Sequence, residues 1–189
     1  MAWTAPMTAV TGAVYTAAQF NTFVRDNLNE TCPAKATTSG SYFVTSGTNQ
    51  ISERIVQQQY VGQQDQTAQT SYADPDGTPV AGNNPINGPI VTAFTGSTAL
   101  VVVGGRIGGN TTATASVKMS WAVSGASTIS ASDTWAAGAV GLGSTGFAYD
   151  SRAYLATGLT QGLNTFTAQY SVSSATGLFG FRSLLVMPF

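Results

Sequence analysis

The chain has no histidine, a single cysteine and few charges: seven Lys or Arg and eight Asp or Glu in 189 residues, or 8%, where about a quarter is usual. Without histidine there is no Ser-His-Asp or Cys-His machinery, and most zinc sites lose their usual ligand. One cysteine, Cys32, excludes an internal disulfide. With no base partner in the sequence, it reads as a packed or idle thiol rather than a nucleophile. The seven basic residues are scattered and leave no electrostatic footprint for nucleic acid. The most apolar run, Leu100 to Val103, is far too short to span a membrane, so insertion is not expected. The opening MAWTAPMTAV has no basic segment and no continuous apolar segment, so it is not expected to be a secretory signal.

What is present argues for a folded, β-rich chain. Hydrophobic residues make up 43%, which excludes disorder. With so few charges, the surface must be covered by Ser, Thr, Asn, Gln and Gly. From Arg54 onward the pattern is β throughout. Ala113, Ala115, Val117, Met119, Trp121 and Val123 alternate with Thr112, Thr114, Ser116, Lys118 and Ser120, as in a half-buried strand. Phe166, Ala168, Tyr170 and Val172 share a second such face. Further strands are expected in RIVQQQYV, TAQTSY, IVTAFT, TALVVVGGRI, GFAYDSRAYLATG and LFGFRSLLVMPF. The spacing of turns predicts an antiparallel sandwich, jelly-roll-like, over residues 54–189. ADPDGTPVAGNNPINGP and SASDTWAAGAVGLGSTG read as long loops.

The N-terminal third differs. Residues 1–15 are irregular, with Trp3 as a side chain that needs a place to dock. Thr16 and Gln19 form a capping box. Phe20, Phe23, Val24 and Leu28 then fall at helical spacing, so a helix of about three turns is predicted, ended by Pro33 at the latest. Residues 34–53, small and polar, read as a linker or extended arm. The fold class is therefore mainly β: a sandwich preceded by an extended N-terminal arm and one short helix. The helix is too short to be stable alone. Its stripe must bury against another protein, against sibling subunits, or against the chain's own β domain.

Candidate sites are few. Asp133 and Asp150 are the best pair for glycoside hydrolysis, with solvated loop acids as the bland reading. Asp74 and Asp76 in DPDG are spaced as in a calcium loop, but a turn is the commoner use and the later acidic ligands are missing. Gly104 to Gly109, GGRIGG, is a strand ending in a Gly-rich turn, not a phosphate loop. Trp135 and Tyr149 in loops could stack on sugar rings or pack at a rim. No catalytic, cofactor or metal site is assigned.

The sequence carries two longer signals. Trp3, Pro6, Gly12, Thr16, Ala17, the run Arg25 to Leu28 and the stretch Pro33 to Thr38 resemble the opening of a family of bacteriophage virion proteins. GLTQGLNTFTAQYSVSSATGLFGFRSLLVMPF, with Arg182 and Pro188, is similar to the closing strands of the same family; Cys32 stands where the family commonly has a small residue. The resemblance implies a non-enzymatic building block, of the minor tail, head-fibre or capsid decoration type. The composition agrees. It suits a protein exposed outside cells that is made in a host cytoplasm and released by lysis, in the virion. The resemblance also implies a homotrimer and other virion proteins as partners, with Trp3, Phe20, Phe23, Val24 and Leu28 as the anchor. The alternative is a tail-associated module that binds host surface glycans.

In the last strand, Phe179, Phe181, Leu185 and Met187 are expected on one face and Leu178, Arg182, Leu184 and Val186 on the other, with Ser183 breaking the first. Both are largely apolar, as in a central strand buried on both sides. Phe179, Phe181, Arg182 and Phe189 are accordingly expected at a subunit interface, with Arg182 paired there.

Overall fold

The computed structural model describes residues 4–8, 10–77, 84–109, 112 and 114–189. Trp3 and Ala113 lie outside the described residues. The chain divides into two compact units: one up to Ile55 together with Phe189, the other Val56–Pro188.

In the first unit the capping box at Thr16 forms as the sequence dictates. Gln19 N–H donates to Thr16 Oγ1 at 3.2 Å, and Gln19 Oε1 accepts from Thr16 N–H at 3.0 Å. Helix α1 (Ala17–Phe20) runs through a π turn (Asn21–Arg25) into α2 (Asp26–Leu28). A π turn takes more residues per turn than an α turn, so the apolar stripe is skewed across it. The buried residue of this run is not on the stripe. It is Asn27, whose side-chain carbonyl accepts from Thr4 N–H at 2.8 Å and whose amide donates to the Thr4 and Phe23 carbonyls at 2.9 and 3.1 Å. Asn27 thereby straps the arm to the helix.

Pro33 does not close this helix. The chain turns after Leu28, and Pro33 opens a further helical turn, α3 (Cys32–Lys35), where its missing N–H costs nothing. The stretch read as a linker carries a hairpin, β1 (Tyr42–Gly47) and β2 (Gln50–Arg54). What holds it is Glu53. Its carboxylate accepts from Thr37 N–H at 2.9 Å, Thr38 N–H at 2.8 Å, the Ser41 hydroxyl at 2.6 Å and the Thr37 hydroxyl. These bonds favour the ionised form and lower its pKa from 4.5 to about 2.

The second unit is an antiparallel, jelly-roll-like β-sandwich. Its strands are β3 (Gln57–Val61), β4 (Asp65–Thr67), β5 (Ile90–Thr95), β6 (Thr98–Gly108), β7 (Ser116–Gly125), β8 (Ala137–Val140), β9 (Phe147–Thr157), β10 (Gly162–Val172) and β11 (Gly177–Pro188). One sheet has the order β5-β10-β7-β8. The other has β3-β11-β6-β9, with β4 also paired to β11. Strand β8 and a 3-10 turn at Asp133–Trp135 occupy the segment expected to be a loop. Of the expected strand TAQTSY, only its first residue, Thr67, belongs to a strand, the end of β4.

Between the sheets lie Val101, Val103, Ile107, Val117, Met119, Trp121, Phe166, Tyr170, Phe179, Leu184 and Val186. Burying each large side chain contributes about 1.5–3 kcal/mol. The two alternating faces read from β7 and β10 are therefore core faces. At one end of the sandwich, fully buried Asn164 ties loops together. It accepts from Ser127 N–H at 2.7 Å and donates to Thr95 Oγ1 at 2.8 Å and the Thr160 carbonyl at 3.0 Å.

Strand β11 departs from the simple alternation. Gly180 pairs with Arg106 and Ser183 with Gly104, so Phe181 and Arg182 together face Gly105 in a bulge. Gly105 makes room for it: a Cβ there would lie 3.0 Å from the Gly180 carbonyl and 3.2 Å from Arg182 Cα. Phe181 takes a left-handed backbone, φ 50°, and the extra residue reverses the facing of everything after it. Phe179, Arg182, Leu184 and Val186 are buried, whereas Phe181 and Ser183 are exposed and Leu185 and Met187 half-buried.

Candidate functional site

The bulge corrects two expected interface residues. Phe179 is fully buried against Tyr170, with ring centroids 4.7 Å apart. Arg182 is also fully buried inside its own sandwich and pairs with buried Asp65. It donates to the Gly88 carbonyl at 3.3 Å and lies 5.2 Å from the Tyr170 ring. Asp65 also accepts from Gln63 at 2.6 Å and Ile86 N–H at 3.2 Å. Neither Phe179 nor Arg182 reaches a surface where a sibling could touch it. A buried charge needs a buried partner, and the sequence separation of Arg182 and Asp65 hid this one. Phe181 is thrown outward, and Phe189 is half-buried.

Of the expected anchor residues, Phe20 is 49% and Leu28 59% exposed. Phe23 and Val24 are half-buried. The arm adds exposed Val10, Val14 and Tyr15, the last packed edge-to-face on Phe20 at 6.2 Å. Met7, Val10, Ala13, Val14 and Tyr15 line an apolar groove. These side chains leave the first unit with exposed apolar surface.

The second apolar surface is the outer face of β3-β11-β6-β9. Across the sheet run the rows Met187–Leu100–Leu155 and Leu185–Val102–Ala153, then a narrow waist of Ser183, Gly104 and Ser151 flanked by Tyr60. Beyond the waist lie Arg106 and Tyr149, then Phe147, with Phe181 delivered by the bulge. Leu155 is 50% and Tyr149 74% exposed. Tyr149 is therefore a strand residue, not a loop one. Its ring stacks on Phe181 with centroids 6.3 Å apart and planes 28° from parallel. The Arg106 guanidinium lies 4.3 Å from the Phe147 ring centroid and 5.3 Å from that of Phe181.

Trp135, the other aromatic singled out, packs at a rim. It stacks on Trp121 at 5.0 Å and donates its indole N–H to the Trp121 carbonyl at 3.0 Å. Asp133 and Asp150 do line one shallow concavity around β8, but both carboxylates are in structural use. Asp133 pairs with Lys118 at 2.6 Å and accepts from the Tyr72 hydroxyl at 2.6 Å. Lys118 first, then Tyr72, lowers its pKa, the wrong direction for a general acid. Asp150 accepts from Gly138 N–H and Ser151 N–H, each at 2.8 Å. In DPDG, Asp76 is committed to the Thr67 hydroxyl at 2.7 Å and Ala68 N–H at 3.1 Å, as in a turn. Among the described residues no group of three or more His, Cys, Asp or Glu gathers as a metal site would need. No helix among them is long and apolar enough to cross a membrane.

No protein-family model and no curated protein sequence matches the chain. Solved structures with a similar architecture include Eiger TNF from S. frugiperda, at TM-score 0.46 and 10% identity over 72% of this chain and 92% of that one. A structure of infectious bursal disease virus, Gt strain, is similar at TM-score 0.40 and 12% identity over 77% of this chain and 35% of that one. The carbohydrate-binding module CBM35 from Cellvibrio japonicus Abf62 is similar at TM-score 0.33 and 15% identity over 71% and 94%. What this chain shares with them is the antiparallel sandwich. The two sheets of Val56–Pro188 themselves define a jelly-roll-like β-sandwich, and the residues up to Ile55 form the other unit.

Proposed function

We propose that the chain is a non-enzymatic structural protein of a bacteriophage virion, of the head-fibre, decoration or minor tail kind. It is attached to other virion proteins through its N-terminal unit and displays the sandwich as a homotrimer. The observation that carries this reading is the second apolar layer on the sandwich. Leu100, Val102, Leu155, Leu185 and Met187 lie together on the outer face of a sheet whose inner face already forms the core. A single domain needs one apolar face per sheet, and a second one suits repeated subunits closed around a rotation axis. The low charge of the chain, 8%, favours such close packing of copies. Exposed Phe20, Leu28, Val10 and Val14 supply a separate attachment surface.

Electron microscopy of phage particles labelled with an antibody to the sandwich tests the reading. Label on the head or tail, lost when residues 1–55 are deleted, is expected. Particles that lack the protein altogether would overturn it.

A further inference from the structure

We propose that the end of this outer face beyond the waist is a saccharide site, and that it takes a sugar bearing a carboxylate. The inference goes beyond the structural role and does not depend on it. Four side chains make the site: Arg106 from β6, Phe147 and Tyr149 from β9, and Phe181 from β11. Leu100 and Arg106 are six residues apart on one strand, about 20 Å at the rise of a strand, so the aliphatic rows and the aromatic end are separate surfaces.

Two observations set the aromatic end apart from a plain apolar patch. The first is the backbone of Phe181. A left-handed φ in a bulky residue is unfavourable, and here the bulge's effect is to lay the Phe181 ring beside Tyr149 on the outside. Strain of this kind concentrates where a side chain must be aimed. Tyr149, 74% exposed, is the open ring of this stack, and an exposed aromatic face is one on which the C–H face of a pyranose lies and buries apolar area.

The second is Arg106. Among the described residues it has no carboxylate partner; its one hydrogen bond there goes to the Gln64 side chain, and its Nε is buried with no partner. An unpaired guanidinium beside stacked rings offers N–H donors to an acidic group on a ligand lying over those rings. A second copy of the chain is a poor source of that counter-charge. Asp65, Asp133, Glu30 and Asp26 are already in ion pairs. Glu53, Asp76 and Asp150 are held by hydroxyl and backbone donors, and burial raises the pKa of Asp74. An apolar seam over Arg106 would strip water from a cation with nothing to pair it.

Isothermal titration of the full chain with a tetrasaccharide of alternating glucuronic acid and N-acetylglucosamine tests the site. A neutral N-acetylglucosamine tetrasaccharide serves as the comparison. Saturable binding of the acidic probe, at least tenfold tighter than the neutral one, is expected. Tyr149→Ala should weaken it at least tenfold, and Arg106→Gln should erase the preference for the acidic probe. Leu163→Ala, on the opposite sheet, should change nothing. Nuclear magnetic resonance shifts of the Tyr149 amide and the Arg106 Nε–H on titration guard against a misfolded variant. No heat and no shift at millimolar probe would overturn the proposal, as would equal binding of the two probes or unchanged binding in Tyr149→Ala. If Tyr149→Ala instead lowers the mass of the assembly, the patch is a contact between copies and the proposal fails, while the virion reading stands.

Discussion

The two outer faces of the sandwich differ although the strands beneath them share one core. On β5-β10-β7-β8 the outer face is mainly hydroxyl and amide: Thr92 bonded to Thr165 at 2.9 Å, then Thr167, Gln169, Ala122 and Ser124. Its exposed apolar side chains are Ile90, Phe94 and Leu163 on the β5 side and Val140 at the β8 edge, separated by those polar residues. On β3-β11-β6-β9 the outer face is Leu, Val, Met, Phe and Tyr around a waist of Ser and Gly. Water suffices to cover the first. The Leu, Val and Met rows of the second, apart from its aromatic end, are the surface we propose that copies cover, since a large apolar patch on a charge-poor protein invites burial.

The contrast can be broken at several points. The largest effect is expected inside, at Arg182→Ala, which strands Asp65 without its cation. Loss of about 3–5 kcal/mol, or failure to fold, should appear in chemical denaturation. Next comes a neighbouring pair on one strand. Leu184→Ala empties a core position and should cost about 2–5 kcal/mol, whereas Leu185→Ser should cost less than about 1 kcal/mol and should instead dissociate the assembly. Equal effects at Leu184 and Leu185 would erase the distinction between inner and outer faces. Phe181→Gly relieves a left-handed backbone worth about 1–2 kcal/mol but loses the Tyr149 and Arg106 contacts, so stability should change by less than about 1 kcal/mol while saccharide binding falls.

The smallest effect concerns acid and the hairpin of the first unit. Glu53 has a folded pKa of about 2, below its ordinary 4.5. Its contribution is therefore complete above about 4.5 and lost as pH falls towards about 2. Amide exchange at Thr37 and Thr38 should quicken through that window while the core amides of β6 and β10 stay protected. No change at Thr37 would remove Glu53 from its place at the centre of the turn.

Much of this was legible in the sequence because β alternation is a local signal. The faces of β7 and β10 and the capping box of Thr16 follow from residues close together in the chain. The last strand was not, because a bulge adds one residue and a one-residue slip exchanges the faces. Gly180 and Gly105 hint at such a bulge, but the pairing that makes it lies far away in sequence. The pairing of Asp65 with Arg182, Asn27 with Thr4 and Glu53 with Thr37 is likewise between separated residues. Asn27 was within view, in the run Arg25 to Leu28, yet its amide had no visible partner. Strand β8 was lost among glycines and alanines, which carry little periodicity. At the aromatic end the sequence reading places Tyr149 on a loop, as a ring that stacks on sugar or packs at a rim, whereas it lies on β9; Arg106 and Phe147 had no signal to link them to it.

The apolar outer face is tested most directly by the mass of the full chain in solution, measured by analytical ultracentrifugation beside Leu155→Ser/Leu185→Ser. A mass of three chains for the native protein is expected, falling to one chain in the double variant with the melting of the sandwich unchanged. A native protein that sediments as a single chain at all concentrations would contradict it.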